Sequence, residues 1–225
     1  MARVKKSRAN PPAKAKHPRV WIVGCGPGSP DYLTEAARQA VAQAEVLVGS
    51  RRLLQLFASH AGKRISIDGC VTAAPARIAA LVRGGKLVAV LVTGDPGLFS
   101  LAAGVVDAIG QKHCQIVPGV SAVQVAFARL ALDWSGARVL SAHGRTPDVA
   151  AAELSRVEKI AVLAGGRAAI GWAAALAGGL RGSHAVWLCE DLTLPTERIR
   201  RTTPRSLART RASPLAIVLL VRISV

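Results

Sequence analysis

The most constraining stretch of this sequence is Leu87-Val88-Ala89-Val90-Leu91-Val92, which ends abruptly at Thr93-Gly94-Asp95-Pro96-Gly97. An apolar run with no polar alternate needs cover on both faces, as a parallel strand has between helical layers. Parallel strands need crossover connections, so strands should alternate with helices along the chain. The pattern agrees. Segments 20–23, 46–49, 64–67 and 114–117 have strand character, and helices are expected at 34–44, 51–57, 73–82 and 100–109.

A helix at 122–130 leads into a second alternating half, with strands at 138–140, 159–163, 185–189 and 215–223 and helices at 148–156, 168–177 and 204–209. The expected fold is α/β, two α/β lobes with a cleft between them. The N-terminal domain spans 19–118 and the C-terminal domain 119–225. Residues 1–18 combine basic side chains with Asn10-Pro11-Pro12 and lack apolar periodicity, so a flexible basic tail is expected there. The longest apolar runs are strand-sized, which predicts no membrane span.

The cysteines, Cys25, Cys70, Cys114 and Cys189, lie far apart and share no ligand spacing with the histidines. Neither a disulfide framework nor a metal site is expected. Free thiols and the lack of an apolar signal core point to a reducing cytoplasm.

The formal charge is +17. Part of it comes from Arg3, Lys5, Lys6, Arg8, Lys14, Lys16 and Arg19, but the body is basic as well. Such an excess suits a polyanion, either nucleic acid or a small molecule with several carboxylates. Aromatic residues make up 4% and no nucleic-acid motif is present, which argues against specific nucleic-acid binding.

Ligands of open α/β sheets gather outside the carboxyl ends of the strands. Three glycine-rich loops follow strands here. Gly24 to Pro30 resembles a dinucleotide fingerprint, but Ser29 stands where its third glycine is required, and Pro27 and Pro30 stiffen the loop. No acid ends the second strand; Gly49-Ser50-Arg51-Arg52 stands there, an arginine pair suited to a 2′-phosphate. In the second loop, Asp95 can accept hydrogen bonds from a ligand or serve as a turn residue. The third, Pro118-Gly119-Val120-Ser121, leads to a helix cap.

Together, Val23 to Gly28 followed by Asp31-Tyr32-Leu33-Thr34, the Thr93 to Gly97 loop and Pro118-Gly119-Val120-Ser121 resemble the tetrapyrrole methylases in order and spacing. Ser121 to Gln124 with Ala128-Arg129-Leu130, Ser141-Ala142-His143-Gly144-Arg145, and Glu190 with Leu192, Pro195 and Glu197-Arg198-Ile199 resemble their corrin-ring carbon-5 branch. Thr93 in place of serine, Leu98-Phe99 in place of a more usual aromatic pair and Ala122 after Ser121 depart from the pattern.

The resemblance covers about residues 19–223 and implies a two-lobed, S-adenosylmethionine-dependent methyltransferase of the cytoplasm. Its substrate would be a corrinoid precursor of cobalamin, methylated at carbon 5 of cobalt-precorrin-7 or the metal-free counterpart. Pro27, Asp95, Leu98, Ser121, Ala122, Ala164 and Leu215 would bind the cofactor, and His143, Arg145 and Arg129 the substrate. A homodimer is implied, with a separate protein for carbon-15 methylation and decarboxylation. The chain assigns no general base. Other expectations compatible with these residues are a same-fold methylase acting on another substrate and a basic nucleic-acid-binding protein.

Overall fold

The computed structural model describes residues 18–144 and 146–223. Of the expected tail at 1–18, all but Pro18 lies outside the described residues, as does Arg145. The first sheet contains β1 (Val20–Gly24), β2 (Val46–Gly49), β3 (Lys63–Ser66), β4 (Val88–Val92) and β5 (Cys114–Val117), in the order β3-β2-β4-β1-β5. Every pairing is parallel. β1 and β4 are buried throughout, as the unbroken apolar run requires.

Successive strand side chains point to opposite faces, and two apolar clusters form accordingly. Trp21, Val23, Leu47 and Leu91 pack with α1 (Glu35–Ala42) and α2 (Arg51–Gln55). Ile22, Val48 and Val90 pack with α3 (Ala74–Arg83) and α4 (Ala102–Ile109). Thr34 starts α1 by accepting the Ala37 N–H, and Ser50 starts α2 by accepting that of Leu53.

The second sheet contains β6 (Arg138–Ser141), β7 (Lys159–Leu163), β8 (His184–Glu190), β9 (Arg198–Thr202) and β10 (Ile217–Arg222), in the order β6-β7-β10-β8-β9. Only β6 and β7 pair in parallel. β9 itself departs from the sequence reading, which placed no strand at 198–202. β9, with sequence RIRRT, has no apolar run to reveal it, because a charged edge strand buries little. The short loop 191–197 returns the chain beside β8, too little chain for a parallel crossover.

One face of this sheet packs Val162, Leu188 and Val218 against α7 (Arg167–Gly179) and Leu207 of α8 (Pro204–Arg209). The other packs Ala161, Ile217 and Leu219 against Val123, Ala126 and Phe127 of α5 (Ala122–Arg129). α5 thus lies on the second sheet while its leading loop, Pro118 to Ser121, comes from the end of β5 in the first. α6 (Ala151–Leu154) is shorter than expected, since Glu153 accepts the Ala150 N–H and fixes its start. No helix among the described residues is long and apolar enough to cross a membrane.

Candidate active site

The three glycine loops meet at one point. A Cβ on Gly24 would lie 2.6 Å from the Gly119 nitrogen and 2.7 Å from the Gly94 oxygen, so only glycine permits this approach. Gly94 donates its N–H to the Gly26 carbonyl at 2.8 Å, and Gly26 donates to the Gly94 carbonyl at 3.3 Å. Asp95 completes the junction. Its Oδ1 accepts the Gly97 N–H at 2.7 Å and its Oδ2 accepts the Gly119 N–H at 3.0 Å. Ser121 is 7% exposed and caps α5 by accepting the Val123 N–H, while Gln124 accepts the Ser121 N–H.

Beside this junction is a cavity of about 250 Å³. Pro27, Thr93, Leu98 and Phe99 come from the first sheet's loops. Ala122, Ser141, His143, Ala164, Gly165 and the 214–217 segment come from α5 and the second sheet. The wall is mostly apolar, and His143 is its only ionisable side chain among the described residues. Gly165 is as constrained as Gly24: a Cβ there would collide with the Pro214 carbonyl and stand 2.8 Å from His143 Nδ1. Phe99, on the cavity rim, has a φ of 50°, a left-handed conformation unusual for a side-chain-bearing residue.

A second set of bonds holds the far wall. Arg129 donates through Nε and Nη2 to the two carboxylate oxygens of Glu197, at 2.7 and 3.2 Å, and through Nη2 to the Tyr32 hydroxyl at 3.4 Å. Glu197 Oε2 also accepts the Thr193 N–H at 2.5 Å, and Thr193 Oγ1 accepts the Ser29 N–H at 3.0 Å. This chain of contacts ties loop 191–197 to the first glycine loop. The hydrogen bond from Arg129 holds the Glu197 carboxyl below the usual carboxylate range, against the opposing effect of its partial burial.

Glu190 is fully buried at the end of β8 and accepts the Ser213 N–H through Oε1 at 3.1 Å. Arg200 Nη2 stands 3.1 Å from Oε2, an ion pair without hydrogen-bond alignment, and Arg198 Nη2 lies 3.8 Å from Oε1. Ser213 also donates its hydroxyl to Asp191 and accepts the Leu215 N–H at 3.1 Å. The segment carrying Leu215 is therefore anchored from beneath.

Pro27, Leu98, Ala122, Ala164, Leu215 and His143 all line the cavity. Asp95 and Ser121 stand just behind it, where their side-chain oxygens accept backbone N–H groups. Arg129 is not among the lining residues, because Glu197 engages it. Arg198 and Arg200 flank Glu190. Thr93, Phe99, Ser141 and Gly165 line the cavity without having been singled out as site residues. The strand-to-Gly165-Gly166 step was the available signal for Gly165, since it repeats the strand-end glycine pattern of the first half.

The chain is similar in sequence and fold to known proteins. The chain is 32% identical over 146 residues to the cobalt-precorrin-7 C(5)-methyltransferase of Salmonella typhimurium, covering 65% of this chain and 71% of that one. The solved cobalamin biosynthesis precorrin-6Y methylase of Archaeoglobus fulgidus superposes with a TM-score of 0.68 at 28% identity, over 92% of this chain and 98% of the other. The fold also matches the uroporphyrin-III C-methyl transferase of Thermus thermophilus, solved with S-adenosyl homocysteine, with a TM-score of 0.70 at 24% identity, over 90% and 92% of the two chains. Residues 19–208 match the family model of the Tetrapyrrole (Corrin/Porphyrin) Methylases, and the chain belongs to that family.

Proposed function

We propose that this protein transfers a methyl group from S-adenosylmethionine to carbon 5 of a corrinoid precursor, cobalt-precorrin-7 or its metal-free counterpart, in cobalamin biosynthesis. The observation that carries the reading is the apolar cavity built jointly by the loop junction and the second sheet. Membership of the methylase family and the Salmonella relative support the donor and the acceptor class.

A sulfonium methyl is already activated, so its transfer to carbon is a displacement that needs alignment and exclusion of water. The cavity suits such a donor: Pro27, Leu98, Ala122, Ala164 and Leu215 give it an apolar wall, and Gly165 leaves room at the wall's edge. Asp95 and Ser121 act from behind by fixing the loops. The sulfur–methyl bond breaks as the new carbon–carbon bond forms, and the proton on the acceptor carbon must leave. His143 is the lining side chain able to receive it.

The protein works as a homodimer in the cytoplasm on this reading. Exposed Ile116 on edge strand β5 and exposed Trp134 support the first, and the four free cysteines the second. Calorimetry tests the donor assignment. S-adenosylhomocysteine should bind with one site per chain and NADPH should not bind; saturable NADPH binding with no response to S-adenosylhomocysteine would refute it.

A further inference from the structure

The arginine pair after β2 is not used by the site described so far. β2 lies beside β4 in the sheet, with Val48 opposite Val90, so the residues that follow the two strands emerge side by side. Arg51 turns to Asp68, which accepts its backbone N–H at 3.0 Å and lies 3.8 Å from its Nε; the Arg51 side chain is 85% exposed. Arg52 takes another course. It is half-buried, and its Nη2 donates to the Thr93 hydroxyl at 2.8 Å, on the cavity rim.

Among the described residues no carboxylate lies within ion-pair distance of Arg52. The titratable group that acts on it is Cys25, whose thiol burial pushes up to about 12, so the thiol stays neutral and supplies no counter-charge. Loss of hydration also lowers the pKa of Arg52. A guanidinium has five N–H donors in a planar fork, and a cation partly withdrawn from water beside a ligand cavity calls for an anion there.

We propose that Arg52 is an anion-binding residue of the acceptor site: its fork receives a carboxylate on the substrate's periphery, and Thr93 holds it at the cavity rim. The inference rests on the acceptor reading above, since a polycarboxylate macrocycle brings such groups to the rim. It also gives the arginine pair an unequal division of labour, with Arg51 bracing the β3 loop through Asp68 and Arg52 facing the ligand.

The test measures binding of a corrinoid polycarboxylate and of its fully esterified form by equilibrium dialysis, with S-adenosylhomocysteine affinity measured separately by calorimetry. Arg52→Gln should weaken the acid form about tenfold or more, the loss expected for a charge-assisted hydrogen bond. The ester and S-adenosylhomocysteine should stay within about twofold, and Arg51→Gln should leave all three within about twofold. Arg52→Lys should fall between, because it keeps the charge without the fork. Thr93→Val, which removes the anchor and keeps the arginine, should weaken the acid form severalfold and provides the test if Arg52→Gln does not fold.

Equal losses on acid and ester, an unchanged acid form, or a loss confined to S-adenosylhomocysteine would overturn the proposal. Failure of wild type to bind the acid form would do the same. A wild type that binds the acid form through Arg52 yet transfers no methyl to any corrinoid would contradict the activity and uphold the anion site.

Discussion

Asp95 reaches across the junction of the glycine loops and accepts the Gly119 N–H at 3.0 Å. The bond joins the loop after β4 to the loop that opens α5, so one carboxylate sets the relation between the two walls of the cavity. A residue at the end of a strand buried along its whole length is well placed to do this, because close packing holds the strand in position.

Asp95→Ala should therefore damage both the fold and the site. Loss of two bonds to backbone N–H groups should cost about 1–3 kcal/mol of stability and weaken S-adenosylhomocysteine binding as the walls separate. Asp95→Asn keeps Oδ1 as an acceptor for Gly97 and should fall between. Thermal melting beside calorimetry checks this. A mutant that melts like wild type but no longer binds would move Asp95 from brace to direct ligand contact.

The Glu197–Arg129 pair should make stability depend on pH. Its carboxyl titrates lower in the folded protein than in the unfolded chain, mainly through the hydrogen bond from Arg129. Its stabilising contribution is present above the unfolded value, about 4.3, and is lost as pH falls through the folded one. Urea midpoints should accordingly drop less steeply on acidification in Glu197→Gln than in wild type. Parallel curves for the two proteins would show that the pair contributes nothing. Since both side chains are partly exposed, with 37% and 24% exposure, a double-mutant cycle with Arg129→Met should give a coupling of only about 1 kcal/mol.

Gly165→Ala should be severe for its size. The new methyl would meet the Pro214 carbonyl and the His143 ring together, and backbone cannot yield as a side-chain tip can. A destabilisation of about 1–3 kcal/mol is expected, with a loss of S-adenosylhomocysteine affinity of about tenfold. Gly171→Ala on the open side of α7 is the control: nothing lies near its Cβ, and it should stabilise the helix by about 0.5–1 kcal/mol. Similar behaviour of the two variants would remove the claim that Gly165 shapes the cavity.

Much of the fold could be read from local patterns. The strands at 46–49, 114–117 and 159–163 and the helix at 204–209 lie where expected: apolar residues mark the strands, Gly49 and Pro118 close the first two, and Thr203 with Pro204 starts the helix. β9 was hidden because only Ile199 in Arg198–Thr202 is apolar enough to signal burial, and strand direction is set by tertiary pairing that no local run encodes. The glycine loops were legible for a similar reason: close backbone approach at Gly24 and Gly119 demands the missing side chain. Arg129 was not, since an arginine's sequence looks the same whether it meets a ligand or Glu197. Nor could sequence show that Thr93 would orient Arg52, a contact that spans 41 positions.

The central claim is methyl transfer to a corrinoid, and the most direct test follows the methyl itself. The purified protein is given S-adenosylmethionine labelled in its methyl group, with precorrin-7, its cobalt form, transfer RNA and protein substrates offered in parallel. The expected result is the gain of one labelled methyl on carbon 5 of a macrocycle, with none on RNA or protein, and the preferred macrocycle also decides between the cobalt and metal-free substrates. Label appearing only on RNA or protein, with both macrocycles untouched, would contradict the assignment.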